Sequence, residues 1–235
     1  MFRSVIFLSA ILAFLFTGLC SLPELHAQES GDCRDLPLTE CPATGNSAYY
    51  VILFSGDGGW RELVRTVTEY LNSKDIPVLV VNTAHYFRSK KSPEQIAADL
   101  VIMIGTYNLI WGKSQVVLIG YSMGAEILPF GINRLQQNRL PFIKDLIMIA
   151  PWKHATFNLI FTDYIYARRG GDDILPELRK LKLKHAYCIC DDSRVSLCRK
   201  GLDGVIDHTM LTGGHHFHFE YHSLLDLIGK RLKLE

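Results

Sequence analysis

The chain has 235 residues, 25 Lys and Arg against 24 Asp and Glu, and 48% hydrophobic residues. With this near-even balance no basic stripe suggests nucleic acid, which is not expected as a partner, and no run of like charge marks a disordered tail. The apolar content is enough for one well-buried core, so a single domain is expected.

Met1 to Cys20 opens on Arg3, runs through "VIFLSAILAFLFTGLC" and turns polar at Ser21. The apolar run is short for a membrane span. It reads as a secretory signal peptide covering residues 1–27, with cleavage after Ala27 in "ELHAQES", and an uncleaved anchor is the competing reading. Cys20 follows Leu19, where lipidation would need a small residue, so lipidation is rejected. A periplasmic location is expected. Cleavage would take Arg3 and Glu24 away and leave 24 basic and 23 acidic residues. Of the five cysteines left, Cys33 is expected to bridge Cys41 and Cys188 to bridge Cys198, with Cys190 an alternative partner for Cys198. Zinc is the weaker reading, because no Cys-x-x-Cys pair occurs.

Residues 28–47, "QESGDCRDLPLTECPATGNS", lack periodicity and are rich in turn formers, which predicts a surface lead-in ahead of a domain over 48–235. Apolar runs at 49–54, 77–83, 115–121, 145–150, 185–190 and 205–211 predict strands. Between them lie helical patterns. Trp60, Leu63, Val64, Val67, Tyr70 and Leu71 share one helix face. Ser92, Pro93 and Gln95 form a capping box with proline at the first position, opening a helix through Ile96, Leu100 and Ile104. Tyr221, Leu224, Leu225, Ile228 and Leu232 predict a buried face on a last helix. Alternation of this kind implies an α/β fold, a mostly parallel sheet with helices on both faces.

"VVLIGYSMGAEILPF", from Val116 to Phe130, joins a strand to a helix through Gly-Tyr-Ser-Met-Gly. At such a junction Gly-x-Ser-x-Gly is the nucleophile elbow of α/β-hydrolases, and Ser122 is the candidate nucleophile. A serine hydroxyl needs a base, and the base needs an orienting carboxylate. "LTGGHHFHF" offers His215, with His216 as alternate; a metal site on His216, His218 and His222 lacks a local carboxylate or thiol. No metal or other cofactor is expected. For the acid, the loop after "HAYCIC" offers Asp192, then Asp191, with Asp203 and Asp207 in reserve. The amides of Met123 and of Asp57, in the glycine-rich "LFSGDGGW", are candidate oxyanion donors. A phosphate cradle is the weaker reading of that loop, since the Gly-x-Gly-x-x-Gly and Walker patterns are absent.

"FSGDGGW" with "GYSMGAEILPF", the Cys-Ile-x…Ser-Leu-Cys segment at 188–198, and "GGHHF" resemble the VirJ family of bacterial virulence proteins and the C-terminal domain of AcvB. The resemblance covers most of residues 48–235. It implies an exported α/β-hydrolase-like domain, with Ser122 as nucleophile and His215 as base, that hydrolyses aminoacyl-phosphatidylglycerol, chiefly the lysyl form. It also implies an aminoacylated phospholipid at the membrane surface and secretion-system proteins as partners. Asp191 stands where the family pattern places a glycine after the strand, which leaves Asp191 and Asp192 both open. Asp57, Trp60 and Glu126 are the candidate substrate-binding residues, the two carboxylates for a substrate ammonium. A generic lipase or esterase, and a non-enzymatic interaction protein on a hydrolase scaffold, are the alternatives.

Overall fold

The computed structural model describes residues 33–159 and 171–234, which lie within one compact unit, Gly31–Glu235. The expected signal peptide, residues 1–27, is outside the described residues.

Five apolar runs become the adjacent strands of one sheet: β2 (Tyr49–Phe54), β3 (Val78–Val81), β4 (Gln115–Tyr121), β5 (Ile143–Ile149) and β8 (Ala186–Asp191). With β1 (Leu38–Cys41) and β9 (Asp207–Leu211) they form seven strands in the order β1-β3-β2-β4-β5-β8-β9. All neighbours pair in parallel except β1, which runs antiparallel to β3 from Leu38 opposite Val81 to Cys41 opposite Val78. The lead-in thus supplies an edge strand. Its four residues are only partly buried and carry no apolar alternation, which is why the sequence read as a loop.

The central strands are buried on both faces, as parallel sheets require. Tyr50, Ile52 and Phe54 point into one core with α3 (Pro93–Ile110), α4 (Met123–Asn133) and α5 (Ile174–Lys180). Tyr49, Val51 and Leu53 point into the other with α1 (Glu62–Ser73) and α6 (His222–Leu232). Helix α3 begins with the expected box: Ser92 Oγ accepts from Gln95 N–H at 3.2 Å and Gln95 Oε1 from Ser92 N–H at 2.8 Å. A one-turn helix, α2 (Thr83–Tyr86), and a two-residue ladder of β6 (His154–Ala155) with β7 (Asp172–Asp173) lacked any sequence signal.

Trp60 is a correction. It precedes α1 and is 41% exposed, so the buried face starts at Leu63. The disulfides are another. Cys190 bridges Cys198, and no disulfide joins Cys33 to Cys41 or Cys188 to Cys198. Cys188 and Cys190 lie two apart on one strand and therefore on one face, their sulfurs 3.3 Å from each other, so spacing did not separate them. The segment around Cys41 is held by the β1–β3 ladder instead.

Candidate active site

The strand order reverses between β2 and β4, and in such sheets ligands bind beyond the carboxyl ends of the strands at that point. Strand β4 ends at Tyr121 and α4 starts at Met123, so the reversal falls on Ser122 alone, with φ 53° and ψ −122°. A left-handed φ on a residue with a Cβ costs of order 1–3 kcal/mol, and the surroundings must impose it. Ser122 N–H donates to Ile149 O at 2.9 Å, and Ser122 O accepts from Glu126 N–H at 3.0 Å. The flanking glycines are steric necessities. A Cβ on Gly120 would meet the Ala125 nitrogen at 2.5 Å, and one on Gly124 would run into the carbonyl oxygens of Phe54 and Ser55.

His215 arrives from the loop after β9, where Gly213 and Gly214 take φ of 107° and 64°. Its Nε2 lies 2.8 Å from Ser122 Oγ, and its Nδ1 lies 3.1 Å from Asp191 Oδ2. Asp191, the last residue of β8, is fully buried, and its Oδ1 accepts from Ser193 N–H at 2.8 Å. Burial alone would push this carboxyl up; the hydrogen bonds from His215 and Ser193 outweigh it and hold the group below its ordinary range. Asp191, not Asp192, therefore faces the imidazole. Asp192 Oδ1 accepts from Gly214 N–H at 2.8 Å and braces the loop that carries His215. Asp203 and Asp207 stand elsewhere, near His208 and Arg231.

Two aromatic neighbours escaped the sequence reading. Tyr121 stacks on His215 with centroids 5.5 Å apart, and its hydroxyl lies 3.1 Å from His215 O and 2.8 Å from His216 Nδ1. A carbonyl only accepts, so the hydroxyl proton goes to His215 O and His216 Nδ1–H donates to the phenol. His216 thus braces the loop. Trp152 Nε1 lies 3.0 Å from His215 Nδ1. An indole N–H only donates, and Nδ1 carries one proton, so that nitrogen cannot serve both Trp152 and Asp191. The buried carboxylate needs the proton, and we assign it there. Position at the end of β5 was the one signal for Trp152.

A cavity of ≈ 190 Å³ is lined by Ser122, Met123, Asp57, Glu126, Trp152 and their neighbours. A wider one of ≈ 980 Å³ is lined by the Gly56–Gly59 turn, Arg61, Arg88, Tyr121, His215 and Phe219. Asp57 and Leu159 belong to both. The Gly56 turn, closed by Gly59 N–H to Gly56 O at 3.0 Å, lies against Ser122, whose Cβ would stand 3.2 Å from a Cβ on Gly56. Glu126 is buried, and its Oε1 accepts from Trp152 N–H at 3.1 Å. Of the expected substrate-binding residues, Asp57 and Glu126 line the smaller cavity and Trp60 lines neither. The metal reading finds no support in the histidines: among the described residues the cluster with metal-ligand spacing is Cys188, Cys190 and Cys198, two of which form the disulfide.

The architecture is that of solved α/β-hydrolases. An enol-lactonase from Burkholderia xenovorans superposes with a TM-score of 0.62 at 13% identity, covering 83% of this chain and 96% of its own. An esterase from Pyrococcus furiosus gives 0.57 at 14%, covering 86% and 95%. A lipase-esterase related protein from Clostridium acetobutylicum gives 0.56 at 13%, covering 84% and 98%. At these identities the likeness establishes the fold. No curated protein matches the sequence. Residues 48–234 match the family of the bacterial virulence protein VirJ, and the chain belongs to that family of α/β-hydrolase-fold proteins.

Proposed function

We propose that the protein is an exported serine hydrolase that cleaves the aminoacyl ester of aminoacyl-phosphatidylglycerol at a membrane surface. The observation that carries this reading is the chain of hydrogen bonds from Ser122 Oγ through His215 to Asp191, at the head of a helix and open to a cavity. Ser122 Oγ attacks the aminoacyl carbonyl while His215 Nε2 takes its proton, and Asp191 keeps the second imidazole proton on Nδ1. The Met123 and Asp57 amides receive the oxyanion. His215 then protonates the glycerol oxygen, and water releases the amino acid by the same steps.

The size and charge of the smaller cavity favour an aminoacyl group over a fatty one. An engineered cavity of about 150 Å³ takes a six-carbon ring. A space of ≈ 190 Å³ thus suits an amino acid and is short for an extended acyl chain. Glu126 and Asp57 offer carboxylates to the substrate ammonium, while Lys153 Nζ on the same wall donates to Arg194 O at 3.2 Å.

The test is product analysis on defined lipids. Lysyl-phosphatidylglycerol should yield free lysine and intact phosphatidylglycerol with the protein and neither with Ser122→Ala. Fatty acid release with the lysyl group retained would make the protein a lipase. Equal turnover by Ser122→Ala would remove the serine mechanism.

A further inference from the structure

In acyl transfer by a serine nucleophile the departing alcohol takes its proton from the histidine, so it must lie on the histidine's side of the serine. Here the two sides are different spaces. Ser122 and Met123 line the cavity of ≈ 190 Å³, whereas His215 lines the one of ≈ 980 Å³. The acyl part therefore occupies the small cavity and the alcohol the large one.

The wall of the larger cavity carries two guanidiniums. Arg61, one residue before α1, donates from Nε to Gly58 O at 3.1 Å. Arg88, just after α2, has Nη2 3.0 Å from His85 Nε2, which must accept because guanidinium only donates. Asp57 and Glu62 line the same cavity, yet among the described residues no carboxylate stands within ion-pair distance of either arginine. Each guanidinium has five N–H donors, and one is committed here to a neutral acceptor. A planar fork with donors to spare is the group that pairs with phosphate oxygens.

We propose that the larger cavity is the leaving-group chamber and that Arg61 and Arg88 bind an anionic phosphodiester carried by the departing alcohol. This rests on the proposed reading of Ser122 as the nucleophile of an acyl ester, and it goes beyond that reading by assigning Arg61 and Arg88 to the alcohol side.

Calorimetric titration of the full chain with glycerophosphoglycerol, a soluble diester without acyl chains, tests the subsite independently of turnover. Saturable binding should appear, weaken with added salt, and fall roughly 10-fold or more in Arg61→Gln and in Arg88→Gln. Arg→Lys at either position, which keeps the charge and loses the fork, should retain part of the binding. Kinetically, the preference for a phosphodiester-bearing ester over a neutral glycerol ester of the same amino acid should shrink by about the same factor. Absence of binding, binding indifferent to both substitutions, or inorganic phosphate binding as tightly as the diester would overturn the proposal. Lysine release from lysyl-phosphatidylglycerol without diester binding would overturn this subsite alone. Diester binding by a protein that leaves that lipid intact would overturn the aminoacyl substrate and keep the anion subsite.

Discussion

Two adjacent aspartates divide the work of the acid loop. Asp191 reaches His215 Nδ1 at 3.1 Å, while Asp192 accepts the Gly214 amide at 2.8 Å. Asp191→Asn keeps the shape but lets the amide donate to Nδ1, leaving the imidazole proton on Nε2; turnover should fall by about 10⁴-fold. Asp192→Asn retains an oxygen for Gly214 N–H and should cost less than about 10-fold, because a neutral acceptor replaces a charged one. Steady-state kinetics of the two variants decides, and equal impairment would refute the division. The same contacts set a pH dependence. Because the Asp191 pKa is depressed in the folded state, its contribution to stability is complete above the ordinary carboxylate value, near 3.9, and is lost as pH falls through the lower folded value. Asp191→Asn should therefore flatten the acid limb of the stability profile below about pH 4, measured by denaturation across that range.

At the scale of elements, the segment from Asp191 to Cys198 is a loop clamped at its root. The disulfide between Cys190 and Cys198 closes it, Leu197 N–H donates to Pro151 O at 3.0 Å, and Trp152 bridges Ser196. Asp191 follows Cys190 directly, so the covalent clamp and the site share a backbone. Closing so short a loop constrains the unfolded chain by about 2.5 kcal/mol. Cys198→Ser should lose stability of that order in denaturant titration and also lower kcat by loosening Asp191. Unchanged stability after reduction or substitution would show that the clamp carries no load. The sequence reading placed the acid and the bridge in this segment but preferred Asp192 and Cys188 to Asp191 and Cys190. The alternation of β8 puts Asp191 on the same face as Ile189, in the core that holds Tyr121 and Phe217, and that parity would have selected it over Asp192. Parity also explains the failure with the cysteines, since Cys188 and Cys190 share a face and both sit in the opposite core. The elbow was legible because its glycines answer a backbone clash that no other residue satisfies.

Across the whole molecule, Ser122, Asp191 and His215, the proposed nucleophile, acid and base, come from the end of β4, from β8 and from the loop after β9, so their alignment depends on the sheet staying rigid beneath them. Helix α6, which follows the histidine loop, is fixed to that sheet by an ion pair to a buried carboxylate as well as by its apolar face. Arg231 Nε donates to Asp145 Oδ2 at 2.7 Å and Nη2 to Oδ1 at 3.0 Å, a two-pronged contact with a carboxylate only 7% exposed on β5. Neither residue was singled out in the sequence, where Asp145 reads as a polar start to an apolar strand and Arg231 as a solvated helix charge; only the tertiary contact joins them. The hydrogen bonds that Arg231 donates to Asp145 push the Arg231 pKa further up, so the guanidinium keeps its charge. Removing Arg231 leaves the Asp145 carboxylate buried without its charge partner, which costs about 3 kcal/mol. Arg231→Ala should thus lower Tm by roughly 6–12 °C in a domain of this size. Asp207→Asn is the control: that carboxylate lies 3.5 Å from Arg231 Nη1 but is 81% exposed, and its loss should change stability by less than about 1 kcal/mol. Below its own Tm, the Arg231→Ala protein should keep kcat within about threefold, because the variant leaves the contacts of Ser122, His215 and Asp191 in place. A large loss of kcat in fully folded Arg231→Ala would mean that α6 positions His215 directly. Equal stability of Arg231→Ala and wild type would mean that the apolar face of Leu224, Ile228 and Leu232 holds the helix unaided.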